Sequence, residues 1–490
     1  MSLVGIDVGS SAVKAAAYSD AGQLLAAASG AITPLYPAAG QWETDPLDAW
    51  RATSQAMQKL GAQDALRRDP VRAIAISASG RENFPADAAG IPLGNGLMGA
   101  DVRGEEFEAL PPNQFGPEAW CLRCGHLRER MDPVFRLAWW KKYRPEIMDK
   151  ARYFFGWIDF LTFRMTGRAV MDLSTASRYA VFDLDHGAWN QERIRALDVD
   201  PALLPTLQPW GTIVGELKTD VASEWNLPPG VVVAQGCHDL NCAAYGAGVC
   251  DNGVACLVSG SYENLLVVTD QLPTAPMLLR GLSMMPQPGK AGRSVIAVHP
   301  TGNAVLNWAR QLLALDMDEM DTFLMQKRAP SPVLAIPYLA GAMAYWEDGR
   351  KARGGVLNMT LATTGAQIVQ AFMESIAYDT RNTLALMKEE GIAVGRIRIT
   401  GGGARSAWWT QLKADATNVP VEVVSQPEPG ALGAALLAGV AVGVYDDMEA
   451  ISRALSGTSC AYEPDTARAA QHHARMQTYQ ATVAALLQTA

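Results

Sequence analysis

The chain opens on an apolar run, Leu3 to Val8, broken only by Asp7, followed by a small polar turn, Gly9-Ser10-Ser11, and a second run that carries Lys14. Apolar segments bounded by Gly and Ser predict a strand, a tight turn and a second strand, and Asp20-Ala21-Gly22 then turns the chain into a third. Asp45 with Pro46 behind it predicts a capped helix from about Leu47 to Lys59, stopped by Gly61. Val71 to Ser79 reads as a buried strand that opens into Gly80-Arg81-Glu82-Asn83, and polar residues just past a strand of an open α/β sheet stand where ligands bind. Met98 to Arg103 predicts another short element ending in Asp101 and Arg103. The Trp- and Tyr-rich region from about Val134 to Thr166 predicts helix, its aromatics serving as packing residues.

The pattern then restarts. Val231 to Gln235 predicts a strand that delivers Gly236-Cys237-His238-Asp239 to the start of a helix at Leu240. Ala255 to Val268 repeats the N-terminal logic of apolar strand, small polar turn (Ser259-Gly260-Ser261) and apolar strand, about 250 residues after the first. Two such units imply a duplicated fold, with the boundary near Ala243 to Gly253. A long helix is predicted from Thr364 to Glu390, ended by Gly391, and a strand from Arg396 to Thr400 opens into Gly401-Gly402-Gly403-Ala404-Arg405, with Ser406 positioned to cap the next helix. Pro420 to Val424 is the next strand, and a Gly- and Ala-rich helix starts at Ala431. The residues after about Asp446 read as Ala-rich helix, with His472 and His473 on its surface.

Composition narrows the function classes. The 490 residues suffice for two or three domains with full cores, and 41 basic against 50 acidic residues, a net charge of -9, give no general attraction for nucleic acid or an anionic membrane. The N-terminus lacks the form of a secretory leader and no stretch reaches a transmembrane length, so a soluble cytoplasmic protein is expected. Seven scattered cysteines read as reduced core thiols, and Cys121-Leu-Arg-Cys124-Gly-His126, with no second Cys/His pair at finger spacing, reads as structural rather than metal-binding.

The candidate chemistry lies at the strand ends. Asp7 is placed to meet a metal or its water shell, Gly9 admits close backbone approach, and Ser10 and Ser11 can donate to anionic oxygens. Asp239 either caps the helix behind it or accepts the proton of a substrate hydroxyl that attacks a γ-phosphorus.

Taken together, these motifs resemble the FGGY family of carbohydrate kinases, of the actin-like, hexokinase-like ATPase fold, from about Leu3 to Gly443. GIDVGSS with Lys14 is similar to the first phosphate motif, QWETDP to a Trp-containing segment, DLSTAS at Asp172 to Ser177 to a stretch before the interdomain connection, and SGS to the second phosphate motif. CHDLNCAAYGAG carries the position of the catalytic Asp, and TGGGARSAWWTQLKADAT, continued by Glu428 and Gly433, is similar to the adenosine motif. One departure stands at Asn358, where the family pattern has a Gly.

The resemblance implies two ribonuclease H-like domains, each a mixed five-stranded sheet flanked by helices, with the active site in the cleft between them: 1–245, 246–450 and a helical extension over 451–490. It implies ATP as co-substrate and Mg²⁺ reached by Asp7. The nucleotide side would be Gly9, Ser10, Ser11, Lys14, Gly260, Ser261, Gly302, Gly402, Gly403 and Ala404; the acceptor side would be Arg81, Glu82, Asp101 and His238 beside Asp239 as base. An Arg fork next to a carboxylate suits the vicinal hydroxyls of a small sugar, polyol or ketose. A homodimer is the assembly the resemblance implies. The reading from a different class is an actin-like nucleotide switch, which needs the phosphate loops but no hydroxyl pocket.

Overall fold

The apolar runs at the N-terminus form an antiparallel meander of β1 (Ser2–Val8), β2 (Ala12–Ser19) and β3 (Leu24–Ala31). β4 (Val71–Ala78) lies parallel to β1, and β5 (Ile213–Glu216), β6 (Val232–Ala234) and β7 (Cys237–His238) complete the sheet in the order β5-β6-β4-β1-β2-β3, with β7 paired to the far end of β4. The second sheet repeats the plan. β8 (Val254–Ser259), β9 (Glu263–Thr269), β10 (Ser283–Pro286), β11 (Arg293–His299), β12 (Arg396–Thr400), β13 (Val421–Val424) and β14 (Thr458–Tyr462) run in the order β10-β11-β9-β8-β12-β13-β14. In both sheets an antiparallel meander is extended by two strands parallel to its first one, so β3-β2-β1-β4-β6 and β11-β9-β8-β12-β13 are the same arrangement.

Each sheet has seven strands rather than five. The expected five are the shared arrangement just given, and the additions, β5 and β7 in the first sheet and β10 and β14 in the second, are two to five residues long. Segments that short carry too few positions for a readable alternation of apolar and polar residues.

The structure, a computed structural model, describes residues 1–107, 116–127, 131–290, 292–326, 329–346 and 349–488, so the last two positions of 451–490 lie outside the described residues. The chain forms two units, neither contiguous in sequence: Met1–Cys250 with Met285–Gly292 and Glu428–Ser456, and Asp251–Met284 with Arg293–Pro427 and Gly457–Ala490.

In the first unit, α1 (Pro46–Gly61) starts where Asp45 accepts the Leu47 N–H at 2.9 Å, and it packs Ala52, Ala56 and Leu60 on the face of the sheet that carries Val4, Ile6 and Ile74. α2 (Pro133–Tyr143) and α3 (Asp239–Gly246) belong to the same unit. In the second unit, α4 (Asn303–Leu312) follows the second meander. The predicted long helix is α5 (Gly365–Glu389), opened by a reciprocal Thr364–Gln367 cap, and α6 (Ala407–Thr417) starts at Ser406 as expected. α7 (Pro429–Ala441) returns to the first unit, where Ala431, Leu432, Ala434 and Ala435 cover the sheet face that carries Leu3, Ala73 and Ala75. A Cβ added at Gly5 would lie 1.7 Å from the Ala431 carbonyl oxygen, so helix and strand meet backbone to backbone.

Several expectations are corrected. Met98 to Arg103 is a turn after the two-residue strand Gly96–Leu97. The C-terminal segment is not wholly helical: β14 pairs with β13 before the final helix, α8 (Thr466–Leu487). His472 is buried, its Nδ1 2.9 Å from the Tyr378 hydroxyl, and burial pushes its pKa down to about 4; His473 is exposed. His472 completes the stripe that α8 buries, with Ala469, Met476, Tyr479 and Val483; its polar ring argued for the surface where its spacing argued for the core. Asn358 takes the left-handed conformation, φ 61°, as a Gly at that place would. Among the described residues no helix is long and apolar enough to cross a membrane, and no group of three or more His, Cys, Asp or Glu is placed to hold a metal. Cys121 and Cys124 are buried.

Candidate active site

Register builds the first cluster. Asp7 is the penultimate residue of β1, and the pairing sets it opposite Lys14 on β2 and Ser77 on β4. The Ser77 hydroxyl donates to Asp7 Oδ1 at 2.6 Å. Burial, relieved in part by that bond and aided by the carboxylates of Asp239 and Glu428 against the pull of Lys14, lifts the Asp7 pKa to about 6. Between β1 and β2, Gly9 N–H closes the turn on the Ala12 carbonyl at 2.9 Å, which leaves Ser10 and Ser11 exposed at the tip. Lys14 Nζ contacts both Glu428 oxygens, at 3.0 and 2.8 Å, so it is paired rather than simply solvated.

Asp239 is delivered by β7, whose pairing with Ser77 and Ala78 fixes its backbone. The N-cap of α3 is His238, and Asp239 is the first residue of the helix. Asp239 Oδ1 lies 2.9 Å from His238 Nδ1 and accepts the Leu240 N–H at 2.6 Å. Burial alone would raise its pKa; the His238 ring and hydrogen bond, the Leu240 N–H and the Arg178 guanidinium together outweigh this and hold it below the ordinary value. Behind the pair, the His238 N–H donates to Ser174 Oγ at 3.0 Å, and Asp172 in turn accepts Ser174 N–H at 2.8 Å.

The acceptor-side residues fall into two sets. Glu82 is buried and bound to the Ser79 hydroxyl and, at 3.2 Å, to the Arg81 N–H. Arg136 of α2, wholly buried, ties the surrounding loops together by donating to the carbonyls of Arg81, Leu97 (2.7 Å) and Met98 (2.6 Å); desolvation lowers its pKa to about 10. Asp101, also wholly buried, receives Trp42 N–H at 2.7 Å and three donors of Arg103, from its N–H and Nε at 2.9 Å and from Nη2 at 2.6 Å. Its acceptor positions are therefore filled within the protein, and Arg103 reaches on to Glu43 at 2.6 Å.

In the second unit the Ser259-Gly260-Ser261 turn is enclosed by three glycines, Gly302, Gly401 and Gly403. Asn303 N–H and Ala304 N–H at the start of α4 donate to the carbonyls of Gly260 and Ser261 at 3.0 and 3.2 Å, and a Cβ at Gly302 would stand 2.8 Å from the Ser261 oxygen. Gly401, at φ 90°, passes over Ser259, where a Cβ would lie 2.6 Å from its carbonyl oxygen, and one at Gly403 would strike the Ser259 hydroxyl. A Cβ at Gly402 would stand 3.4 Å from Asn303 Nδ2. Ala404 follows in the short turn Gly402–Arg405. Beneath the turn, Ser259 Oγ and Lys413 Nζ meet at Glu263 Oε1, at 2.5 and 2.9 Å, with Lys413 lying 3.5 Å from the centre of the Trp409 ring. Lys413 and Glu263 are wholly buried.

The sequence reading missed Arg136, Ser174, Arg178, Glu263 and Lys413 as parts of these clusters. A lone Arg among the aromatics of α2 gives no local signal, whereas the DLSTAS match did point to the segment that contains Ser174.

This duplicated α/β architecture is that of the actin-like ATPase fold: a xylulose kinase from Brucella ovis superposes with a TM-score of 0.91 at 23% identity, covering 100% of both chains. The chain belongs to the FGGY family of carbohydrate kinases, matching its N-terminal domain over residues 2–246 and its C-terminal domain over 278–442. It is 30% identical to a glycerol kinase of Dechloromonas aromatica over 95% of this chain and 93% of the relative, and 26% identical to a xylulose kinase of Klebsiella pneumoniae over 96% of each. Membership makes the chain a phosphotransferase that acts on an alcohol group, with ATP as co-substrate.

Proposed function

We propose that the chain phosphorylates a hydroxyl of a small polyol or ketose, with Asp239 as general base. The observation that carries this reading is Asp239 itself: an ionised carboxylate just past a strand end, fixed through one oxygen, with the other unbonded among the described residues. The acceptor O–H proton passes to this carboxylate as its oxygen bonds to the γ-phosphorus, the bond to the β–γ bridging oxygen breaks, and ADP leaves. Arg81 and Glu82 supply a donor fork and an acceptor for neighbouring hydroxyls, and Asp101 supports that region from behind through Trp42 and Arg103. The relatives' names, glycerol kinase and xylulose kinase, set the range of acceptors.

Asp7 fits a divalent cation. The two further carboxylates that act on Asp7 mark a place that favours positive charge, and Mg²⁺ keeps water and phosphate oxygens as most of its ligands, so a single carboxylate suffices. Mg²⁺ would neutralise charge that develops on the phosphates. Gly9, Ser10, Ser11, Gly260, Ser261, Gly302, Gly402, Gly403 and Ala404, which match the family's phosphate and adenosine motifs, are assigned to the nucleotide. Lys14 serves through its pair with Glu428.

The test is Asp239→Asn, with ADP release followed over glycerol, tetritols, tetruloses, pentuloses and hexuloses. Acceptor-dependent turnover is expected to fall by about 10²–10⁴-fold while ATP affinity is retained. Undiminished turnover would remove Asp239 as the base, and ATP binding without stimulation by any acceptor would favour a nucleotide switch.

A further inference from the structure

His238 Nδ1 stands between two possible partners: 3.3 Å from the Leu240 nitrogen and 2.9 Å from Asp239 Oδ1. Only one protonation pattern satisfies both. If Nδ1 carried no proton it could cap Leu240, but its lone pair would then face a carboxylate oxygen at hydrogen-bonding distance. If Nδ1 carries a proton it donates to Oδ1, and the Leu240 N–H makes its shorter bond, 2.6 Å, to the same oxygen. Oδ1 then holds two donors, and among the described residues no hydrogen bond reaches Oδ2.

The ring is held where this requires it. The His238 side chain is only 9% exposed, and its backbone is pinned by the pairing of β7 with β4 and by the bond from its N–H to Ser174 Oγ. Its Cδ2 edge packs against Gly80, where an added Cβ would stand 3.1 Å away. The ring therefore has little freedom to turn toward a ligand, and Asp239, with a side chain 39% exposed, is the more accessible member of the pair.

We infer that His238 is a positioning residue: by donating to Oδ1 it fixes the Asp239 side chain and leaves Oδ2 as the atom that takes the acceptor proton. This departs from a direct contact between His238 and substrate, and it rests on the reading of Asp239 as the base. Proton transfer tolerates little misplacement, and an error of about 1 Å in a reacting group costs on the order of 10²-fold in rate.

Two full-length variants separate the possibilities. His238→Phe keeps the ring volume and removes the N–H; His238→Asn supplies an amide N–H near the position of Nδ1. Both are compared with wild type and with Asp239→Asn in single-turnover phosphorylation of whichever acceptor in the panel above is fastest, with rates normalised to the fraction of protein that binds ATP. The expected result is a rate lowered about 10- to 100-fold in His238→Phe, with acceptor KM within about 2-fold of wild type, and largely restored in His238→Asn. A raised acceptor KM at unchanged rate would make His238 a substrate ligand, and equal losses in both variants would make its role one of packing; either overturns the inference. If Asp239→Asn stays active, the base assignment fails first. If it is inactive while His238→Phe is normal, the positioning role alone fails.

Discussion

At the scale of single residues, the carboxyls that burial protonates have consequences for stability. Asp379 on α5 accepts the Tyr338 and Tyr479 hydroxyls through Oδ1, at 2.7 and 2.8 Å, while Oδ2 is buried with no partner among the described residues, and desolvation lifts the pKa to about 7. Because the folded-state value lies above the unfolded one, the native state holds a proton that the unfolded chain has lost. This group's contribution to stability is therefore full below pH 3.8, falls as pH rises toward about 7, and is flat above it. Asp379→Asn, which keeps the acceptor and needs no proton, is expected to gain on wild type progressively across that interval, by a few kcal/mol at its upper end; denaturant titrations of both proteins at several pH values would show it. A constant difference would contradict the assigned protonation. Residues of this kind explain what the sequence could convey. Asp7, Gly9 and Asp239 were legible because each sits in a short contiguous motif at a strand end. Asp379 and Arg136 were not, because their neighbours come from positions 38 to 100 residues away.

At the scale of elements, β1, β4, α1, α5 and β12 could be read almost to the residue, since caps, glycines and long apolar runs mark their ends. The short edge strands could not, and neither could the face each helix buries. The contact of α7 with β1 depends on Gly5, and Gly5→Ala, whose Cβ has no room, should destabilise the protein by at least about 1–3 kcal/mol, seen as a lowered melting temperature. The Glu263–Lys413 pair ties β9 to α6 beneath the Ser259 turn. Lys413→Met would leave Glu263 buried without its partner and is expected to cost about 3–5 kcal/mol, whereas adding Glu263→Gln should recover part of the loss; a double-mutant cycle by thermal melting measures the coupling. Gly302→Ala is expected to press on the Gly260 and Ser261 carbonyls and raise the KM for ATP with little effect on that for the acceptor. An unchanged ATP KM would detach that turn from the nucleotide.

At the scale of the whole molecule, the duplication was legible from two hairpins about 250 residues apart, but the path of the chain was not. Nothing local says that Glu428–Ser456 leaves the second unit and closes the first; that follows from glycines paired across sequence, Gly5 against Ala431, Gly246 against Pro429 and Gly433 against Cys242. A chain ended after Cys250 is accordingly expected to melt without a cooperative transition and to bind a hydrophobic dye, both readable in one thermal scan. The same arrangement sets an order of events during synthesis. The face of β1 that receives α7 is made first and covered late, after more than four hundred further residues have left the ribosome. Throughout that interval the nascent chain carries an open apolar sheet face, so the maturation of this kinase is timed by the arrival of α7.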